Sequence, residues 1–306
     1  MERGSVLDLF SGMGGLSSGF AGEGFEVTGV DMSDIIGDTY MKVTNSSFIR
    51  ADLSRQNIRG KFDVVVGGPP CKPWSSVNQS RRGTEHRDFG LIGRFYDHVL
   101  SMEPRIFIME NVPLLRTDPE FHRQLDRVRS AGYSVAWDLF RYSDYGAATS
   151  RRRLVVAGLR DGSADNFMMD IKSRRRHSTI VRDVIYDLRD KEMNSTPDHV
   201  WPHLRTVLRY RDKYESGKYG WAILRWDEPA PSFGNVMKTY ILHPDSDLEL
   251  GRYRPVSVLE VSRIMGFNHG FSFPAGVGIG HRYQMLVDSV SPVFSDILAR
   301  VVYHWI

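Results

Sequence analysis

The chain has 306 residues, of which 41% are hydrophobic and 25% charged, and its formal net charge is +3. These values are typical of a globular protein with one large domain or two ordinary ones, and they exclude disordered and fibrous chains. The one cysteine excludes an internal disulfide, and no uninterrupted apolar stretch is long enough for a signal peptide or a membrane span. We therefore expect an intracellular, cytoplasmic protein that has no membrane partner.

Strands and helices alternate through the first 160 residues. Strands are expected at 5–10, 26–31, 48–52, 62–68, 105–111, 133–140 and 153–159. Helices are expected at 16–24, from a Ser33 cap through Tyr40, at 89–102 and at 119–132. Because the strands are nearly continuous apolar and β-branched runs, the pattern predicts an α/β fold with a doubly wound parallel sheet covered by helices on both faces.

The pattern changes after residue 160. Residues 161–250 are polar and irregular, which predicts a second, smaller domain of loops and short strands. Within them, 205–219 interleaves basic residues with tyrosines, a mixture that suits contacts with nucleic acid but equally suits an exposed helix face. Regular structure is expected again at 256–267 and in one final helix over about 284–303.

A glycine-rich turn, DLFSGMGGLSSGF (8–20), follows the first strand. In a doubly wound sheet this turn is a favoured ligand site, and its glycines allow the backbone to approach a ligand closely. The spacing is G-x-G-G rather than the dinucleotide pattern G-x-G-x-x-G, so the turn alone is a weak signal. Asp31 and Asp52 end the next two strands, and together with the turn they indicate a cofactor that contains a nucleoside.

Cys71 lies in GGPPCKPWSS (67–76), directly after the fourth strand and between prolines. A lone cysteine is commonly a small core residue, and that interpretation stays open. The position of Cys71 beyond the end of the strand favours a nucleophile, because a core cysteine more often lies inside a strand. The adjacent Lys72 would favour the thiolate that such a nucleophile needs.

Two further groups follow at the same predicted edge of the sheet. Glu110 ends the fifth strand in MENVP (109–113), where a carboxylate needs a task or a partner. In SRRRL (150–154), strand alternation places Arg151 and Arg153 on one face and Arg152 on the other. The two arginines could hold a carbonyl oxygen or a phosphate, or they could only pair with Glu110 or other acids.

These segments resemble the motifs of the DNA (cytosine-5-)-methyltransferases of restriction-modification systems. The motifs DLFSGMGGLSSGF, GGPPCKPWS, MENV, SRRRL and RPVSVLEVSRIMGF occur in the family's order. The resemblance implies a Rossmann-like, S-adenosylmethionine-dependent methyltransferase fold. It further implies a catalytic and cofactor-binding domain over 1–160, a target recognition domain over 161–250, and a return to the catalytic domain over 251–306.

The resemblance also implies a reaction and a role for individual residues. A methyl group would pass from S-adenosylmethionine to carbon 5 of a cytosine that is flipped out of double-stranded DNA within a short specific sequence, through a covalent adduct of Cys71 at carbon 6. The implied catalytic residues are Cys71, Glu110, Arg151 and Arg153. The implied cofactor-binding residues are Phe10, Ser11, Gly12, Gly14, Leu16, Asp31, Met32, Asp52, Leu53, Pro70, Asp288 and Ser289. The implied DNA-binding residues are Lys72, Ser75, Ser76, Arg81, Arg82, Arg205, Arg209, Lys238 and Arg254, and no metal is expected.

Three positions depart from the family pattern. Thr149 stands where glutamine is usual, Asp288 stands where asparagine is usual, and Asp31 replaces the commoner glutamate. None of these changes removes a catalytic atom, so an active enzyme is expected.

Three alternatives were weighed against DNA methylation. The nearest is a tRNA cytosine-5 methyltransferase on the same catalytic plan, and the second is a catalytically inactive DNA-binding relative. A nicotinamide dehydrogenase is the third, and it would leave the PPC and ENV turns unexplained. Because the chain has one recognition segment, a monomer is adequate. Binding to DNA would place the protein at the nucleoid. A cognate endonuclease that acts separately is left open as a further partner.

Overall fold

The structure is a computed structural model, and it describes residues 3–70, 88, 90–203, 207–216 and 220–306. The chain divides into two compact units. Unit 1 comprises Met1–Arg141, Arg152–Arg175 and Phe294–Ile306, and unit 2 comprises Tyr142–Arg151 and Arg176–Val293. The predicted assignment of 161–250 to target recognition concerns function and stays a prediction.

The secondary structure follows the predicted order of elements. The strands are β1 (Ser5–Leu9), β2 (Glu26–Asp31), β3 (Ser47–Arg50), β4 (Val64–Gly67), β5 (Ile106–Asn111), β6 (Ser134–Arg141), β7 (Arg152–Leu159), β8 (Ala222–Ile223) and β9 (Ile241–Leu242). The helices are α1 (Gly15–Gly22), α2 (Asp34–Thr44), α3 (Leu91–Met102), α4 (Pro119–Ser130), α5 (Ala164–Ser173), α6 (Val181–Ile185), α7 (Arg211–Glu215), α8 (Val236–Thr239), α9 (Val258–Met265), α10 (Ile279–Asp288) and α11 (Pro292–Trp305). None of these described helices is long and apolar enough to cross a membrane.

Seven described strands of unit 1 form one sheet in the order β3–β2–β1–β4–β5–β7–β6. The neighbours from β3 to β5 pair in parallel, as the apolar strands predict. The expectation of a wholly parallel sheet is wrong at the other side, because β7 is antiparallel to both β5 and β6. The short connection between β6 and β7 contains no crossover helix of the kind that a parallel pair needs. As a result, the start of β7 lies at the edge where β5 ends.

The core of unit 1 forms because β4 and β5 are buried on both faces. On one face, α3 contributes an apolar stripe of Ile92, Phe95, Tyr96 and Val99, spaced as a helix requires, and each of these side chains is fully buried. Burial of each such side chain stabilises the fold by about 1.5–3 kcal/mol. The other face is covered by α5 and α11, where Phe140 of β6 packs against a ring of α11. The predicted α/β sheet with helices on both faces is confirmed.

Two local expectations need correction. Ser33 precedes α2 as predicted, but its side chain makes no capping hydrogen bond. The single helix expected near the carboxyl terminus is two helices, α10 and α11. Pro292 is the first residue of α11, a position that tolerates proline, whereas proline could not continue α10 because it lacks the backbone N–H.

The predicted loops and short strands of 161–250 also need correction, because helices α5–α8 lie in that segment. Helix α5 belongs to unit 1, where Ser163 caps it by accepting a hydrogen bond from the Asn166 N–H. Its apolar residues Phe167 and Ile171 are fully buried. In unit 2, β8 and β9 pair in parallel as a two-residue ladder.

Candidate active site

The first part of the site is the turn that follows β1. Phe10 has a positive φ of 59° and Gly12 one of 52°, so the chain turns sharply through the left-handed region. The Ser11 N–H donates to the Val30 carbonyl at 3.0 Å, and the Gly14 N–H donates to the Ser11 carbonyl at 3.0 Å. A non-glycine residue with positive φ is uncommon outside functional and strained turns, and Phe10 is one.

Asp31 at the end of β2 is fixed against this turn. Its Oδ2 accepts a hydrogen bond from the Gly12 N–H at 3.0 Å, and its Oδ1 accepts one from the Met32 N–H at 2.7 Å. Burial raises the pKa of Asp31, and the two N–H donors offset part of that rise. The neighbouring Met32 side chain is 63% exposed, which is unusual for a large apolar residue. An acceptor and an exposed apolar surface therefore stand together at the edge of the sheet.

These residues fit a nucleoside cofactor by two observations on the turn itself. The Ser11 Oγ is buried and has no hydrogen-bond partner among the described residues. A Cβ added at Gly12 would meet nothing within 4 Å, so open space faces the backbone at that point. A glycine turn with adjoining space and an unused hydroxyl suits a ligand that approaches the backbone closely.

Four further cofactor residues predicted in unit 1 follow β1 or β3: Gly14 and Leu16, and Asp52 and Leu53. Gly14 precedes the first residue of α1, and Leu16 is buried in that helix. Leu53 is buried, whereas Asp52 is partly exposed and accepts hydrogen bonds from the Ser54 N–H at 3.0 Å and the Ser54 hydroxyl at 2.6 Å. The Ser54 hydroxyl is the main reason that the pKa of Asp52 is lowered. Their contacts with a cofactor stay predictions.

The sequence analysis missed a buried polar group below the turn. Asp8 is 1% exposed within β1, and its Oδ2 accepts a hydrogen bond from the Ser17 hydroxyl at 2.6 Å. The Tyr40 hydroxyl donates to Ser17 Oγ at 2.8 Å. Burial raises the pKa of Asp8 to about 7. A carboxylate inside the apolar run SVLDL was the available signal.

The second part of the site is an ion pair between β5 and β7. Arg153 Nε lies 3.0 Å from Glu110 Oε1, and the two side chains are only 12% and 9% exposed. The pair follows from the register, because Glu110 faces Val155 across the two strands and Arg153 shares the face of Val155. Of the two alternatives left open for the arginines, a salt bridge with Glu110 is present for Arg153, and it places a cation beside a buried carboxylate at the sheet edge.

Asn111, the last residue of β5, ties this pair to the end of β4. Its Nδ2 donates a hydrogen bond to the Pro69 carbonyl at 2.9 Å. A Cβ added at Gly68 would lie 3.6 Å from Glu110 Oε2, so the backbone that leaves β4 passes beside the carboxyl group. Pro70 is the last described residue before Cys71. The sequence analysis quoted the ENV motif but assigned no role to its asparagine.

Several predicted residues lie outside the described part of the chain. These are Cys71, Lys72, Ser75, Ser76, Arg81, Arg82 and Arg205.

Arg151 and Thr149 belong to unit 2. Arg151 precedes β7 rather than lying in it, and it is 6% exposed. The Thr149 hydroxyl, which stands in the place of the usual glutamine, accepts a hydrogen bond from the Arg151 N–H at 3.3 Å. This contact holds the Arg151 backbone, and a catalytic role of Arg151 stays a prediction.

The other predicted residues of unit 2 have varied surroundings. Asp288 is exposed and accepts a hydrogen bond from Gln284 Nε2 at 2.8 Å, and Ser289 is buried. Arg209 and Lys238 are exposed. Arg254 donates to both oxygens of Glu260, at 2.8 and 2.7 Å. Roles in cofactor or DNA binding stay predictions for all of these residues.

Comparison with known proteins agrees with this geometry. Residues 4–304 match the family described as C-5 cytosine-specific DNA methylase, so the chain belongs to that family. It is a DNA (cytosine-5-)-methyltransferase whose substrate is DNA and whose methyl donor is S-adenosylmethionine. The resemblance stated from the motifs is confirmed.

Individual relatives cover nearly the whole chain. The type II methyltransferase M.FnuDI of Fusobacterium nucleatum is 27% identical over 327 residues, which span 96% of this chain and 93% of the relative. The type II methyltransferase M.HgiDI of Herpetosiphon aurantiacus is 28% identical over 300 residues, which span 94% of this chain and 90% of the relative.

Solved structures show the same fold at lower identity. The Entamoeba histolytica methyltransferase EhMeth superposes with a TM-score of 0.75 at 18% identity, over 99% of both chains. The Dnmt2 methyltransferase of S. pombe gives a TM-score of 0.72 at 17% identity, also over 99% of both chains.

Proposed function

We propose that the enzyme methylates carbon 5 of a cytosine flipped out of duplex DNA, within a short specific sequence, through a covalent bond from Cys71 Sγ to carbon 6. A base inside the duplex cannot reach a side chain at the sheet edge, so extrusion is required. The observation that carries the proposal is the buried Glu110–Arg153 pair, at 3.0 Å, beside the Pro69–Pro70 segment that leads to Cys71. Glu110 and Arg153 are the acid and the cation that a pyrimidine ring flipped out of the duplex would need.

In the proposed reaction, the Cys71 thiolate adds to carbon 6 while Glu110 gives a proton to nitrogen 3 of the ring. Carbon 5 then becomes nucleophilic enough to accept a methyl group. S-adenosylmethionine, when bound, would supply that methyl group as an electrophilic carbon on a sulfonium and would be released as S-adenosylhomocysteine. Loss of the proton from carbon 5 to solvent, return of the nitrogen 3 proton to Glu110 and cleavage of the bond from Cys71 Sγ to carbon 6 then restore the aromatic ring and the free thiolate.

Arg153 has a separate task in this proposal. Its guanidinium, 12% exposed, orients the Glu110 carboxyl through the contact at 3.0 Å. The Asn111 amide holds the Pro69 carbonyl at 2.9 Å and so fixes the strand end from which residue 71 follows. Fixed geometry of this kind lowers the barrier because the reacting groups need no rearrangement.

Methyl transfer with a radiolabelled donor tests the proposal. The purified chain should label duplex DNA, and bisulfite sequencing of the product should locate the modified cytosine in one repeated short sequence. A duplex in which that cytosine is replaced should not be labelled. Label in transfer RNA but not in duplex DNA would contradict the proposal and favour the RNA alternative.

The type II names of the relatives lead to a further proposal about biological context. We infer that the chain is the modification enzyme of a restriction-modification system, that a separate endonuclease reads the same sequence, and that the enzyme acts as a monomer. Sedimentation of the purified chain tests the monomer. Cleavage of unmethylated but not methylated DNA by a co-encoded nuclease tests the pairing.

A further inference from the structure

Three exposed arginines lie at the edge of unit 1 where β5 ends. Arg116 is in the 3₁₀ helix Pro113–Thr117 that follows β5, Arg141 is the last residue of β6, and Arg152 is the first residue of β7. All three are exposed, and none forms an ion pair or a hydrogen bond through its guanidinium with any residue in the described ranges. We refer to Arg116, Arg141 and Arg152 as the arginine edge.

Two of these arginines form an unfavourable pair. Arg141 and Arg152 lie directly opposite each other in the antiparallel ladder of β6 and β7. Their Cβ atoms are therefore about 5 Å apart on the same face, and like charges in that arrangement destabilise a sheet. Arg152 acts on the carboxylate of Asp138 only at longer range, and Asp138 is ion-paired with Lys172.

Several other exposed arginines of unit 1 are compensated. Arg123 is ion-paired with Glu120 at 2.7 Å, and Arg129 is ion-paired with Asp126 at 3.2 Å. The charges of the arginine edge have no such acids within ion-pairing distance in the described chain, and two of them, Arg141 and Arg152, also face each other across the ladder. A cluster of unpaired cations lowers the stability of the free protein. Such a cluster is typical of a surface that binds an anion.

The arginine edge lies close to the candidate active site but does not point into it. Phe140 and Arg153 form the neighbouring pair in the same ladder, and their side chains lie on the opposite face of the sheet. Arg153 contacts Glu110 on that face. The 3₁₀ helix that carries Arg116 packs against β7. Arg141 and Arg152 thus lie beside the catalytic pair, on the other face of the sheet.

We propose that the arginine edge binds the phosphates of duplex DNA next to the extruded cytosine, as a DNA contact of the catalytic unit itself. The inference rests on the proposed function, because the substrate duplex supplies the anion. An arginine guanidinium matches phosphate oxygens in a two-point hydrogen-bonding geometry and is always charged. Phosphate contacts of this kind hold the duplex without reading its sequence.

The test measures how duplex binding depends on salt. Each phosphate contact contributes about 0.9 to the slope of log affinity against log salt concentration. The triple variant Arg116→Gln, Arg141→Gln, Arg152→Gln should lower that slope by about 3 on a fluorescent duplex of mixed sequence, measured by anisotropy. In methyl-transfer assays on the unmethylated substrate sequence, the loss should appear as a higher KM for DNA rather than a lower kcat.

A matched control removes three exposed charges from the opposite edge of the same sheet. Arg59 and Lys61 precede β4, and Arg105 precedes β5, and all three are exposed without ion-pair partners in the described chain. The variant Arg59→Gln, Lys61→Gln, Arg105→Gln changes the net charge equally. It should keep the wild-type slope within about 1.

The outcomes separate the inference from the proposed function. Equal salt-dependence slopes for the two triple variants would contradict the proposed role of the arginine edge. A wild-type enzyme that binds duplex DNA without methylating it would contradict the proposed function alone. Thermal unfolding checks the fold of the edge variant. Its melting temperature should equal or exceed that of the wild type, because the facing pair of like charges is gone.

Discussion

Each unit buries an arginine against a glutamate, and the two pairs differ in what surrounds the carboxylate. In unit 1, Glu110 and Arg153 are 9% and 12% exposed at a strand end. In unit 2, Glu260 is 0% exposed and Arg254 is 18% exposed. The same two residue types therefore form a buried pair at the edge of a sheet in unit 1 and at the start of a helix in unit 2.

The unit 2 pair is committed to structure. Glu260 accepts hydrogen bonds from two nitrogens of Arg254 and from the Ser257 N–H at 2.7 Å, which completes a capping box at the start of α9. Burial raises the pKa of Glu260, but the Arg254 guanidinium, His243 and the Ser257 N–H together more than offset that rise, so the pKa is lowered overall. The unit 1 pair is the candidate site because it lies at the end of β5, beside the backbone that leads to Cys71. Burial of a charge pair alone therefore does not identify a catalytic group.

The largest effect that sharpens this comparison is expected from Glu110→Gln. The amide cannot give a proton to the ring nitrogen, so methyl transfer should fall by about 10²–10⁴-fold in kcat. The melting temperature should fall less than in Arg254→Ala, because glutamine keeps a side-chain oxygen that can accept a hydrogen bond from Arg153 Nε. Labelled methyl transfer and thermal unfolding measure the two quantities. Activity within about tenfold of the wild type would remove Glu110 from the mechanism.

Arg254→Ala should give the opposite pattern. It leaves the fully buried Glu260 carboxylate without its cation, and loss of one partner of such a pair costs about 3–5 kcal/mol of unfolding free energy. Arg153→Ala is the matched variant, and it should reduce kcat with a smaller loss of stability. Urea unfolding measures both variants. Equal stability losses would show that the distinction between the two pairs is wrong.

The pH dependence of stability should report Asp8, beneath the glycine turn. Burial raises the pKa of Asp8 in the folded state to about 7 from its ordinary value of 3.8, so the folded protein binds this proton more tightly than the unfolded chain does. Protonation of Asp8 therefore contributes about 4 kcal/mol to the free energy of unfolding. This contribution is complete below about pH 4 and is lost as the pH rises to about 7. Asp8→Asn should remove that decline, as urea unfolding between these pH values would show. Parallel curves for the two proteins would contradict the buried neutral carboxyl group.

The smallest effects are expected at two glycines of the turn. Gly12→Ala fills open space, so it should cost about 1 kcal/mol through its positive φ and raise the KM for the methyl donor roughly tenfold. Gly14→Ala places a Cβ 2.5 Å from Thr44 Cγ2, so it should cost about 2–3 kcal/mol of stability. Donor titrations and unfolding separate the two. A KM unchanged by Gly12→Ala would mean that the cofactor lies elsewhere.

Sequence alone predicted the features that are local in the chain. The glycine turn, Asp31 at the end of β2 and Glu110 at the end of β5 were all placed at one edge of a sheet because each follows an apolar strand. The antiparallel β7 was missed, because strand direction depends on a connection whose path residue patterns do not determine. Only long-range register places Arg153 against Glu110 and Arg141 opposite Arg152. The bond from Asn111 to the Pro69 carbonyl likewise joins two strands that are distant in sequence.

The central claim is that the Cys71 sulfur bonds to the extruded cytosine, and covalent trapping tests it directly. A duplex that carries 5-fluorocytosine at the target position should form a stable adduct with the wild-type enzyme in the presence of S-adenosylmethionine, because fluorine cannot leave carbon 5 as a proton does. Mass spectrometry should place the adduct on Cys71, and Cys71→Ala should form none. Methyl transfer to cytosine by Cys71→Ala, or an adduct on another residue, would contradict the account.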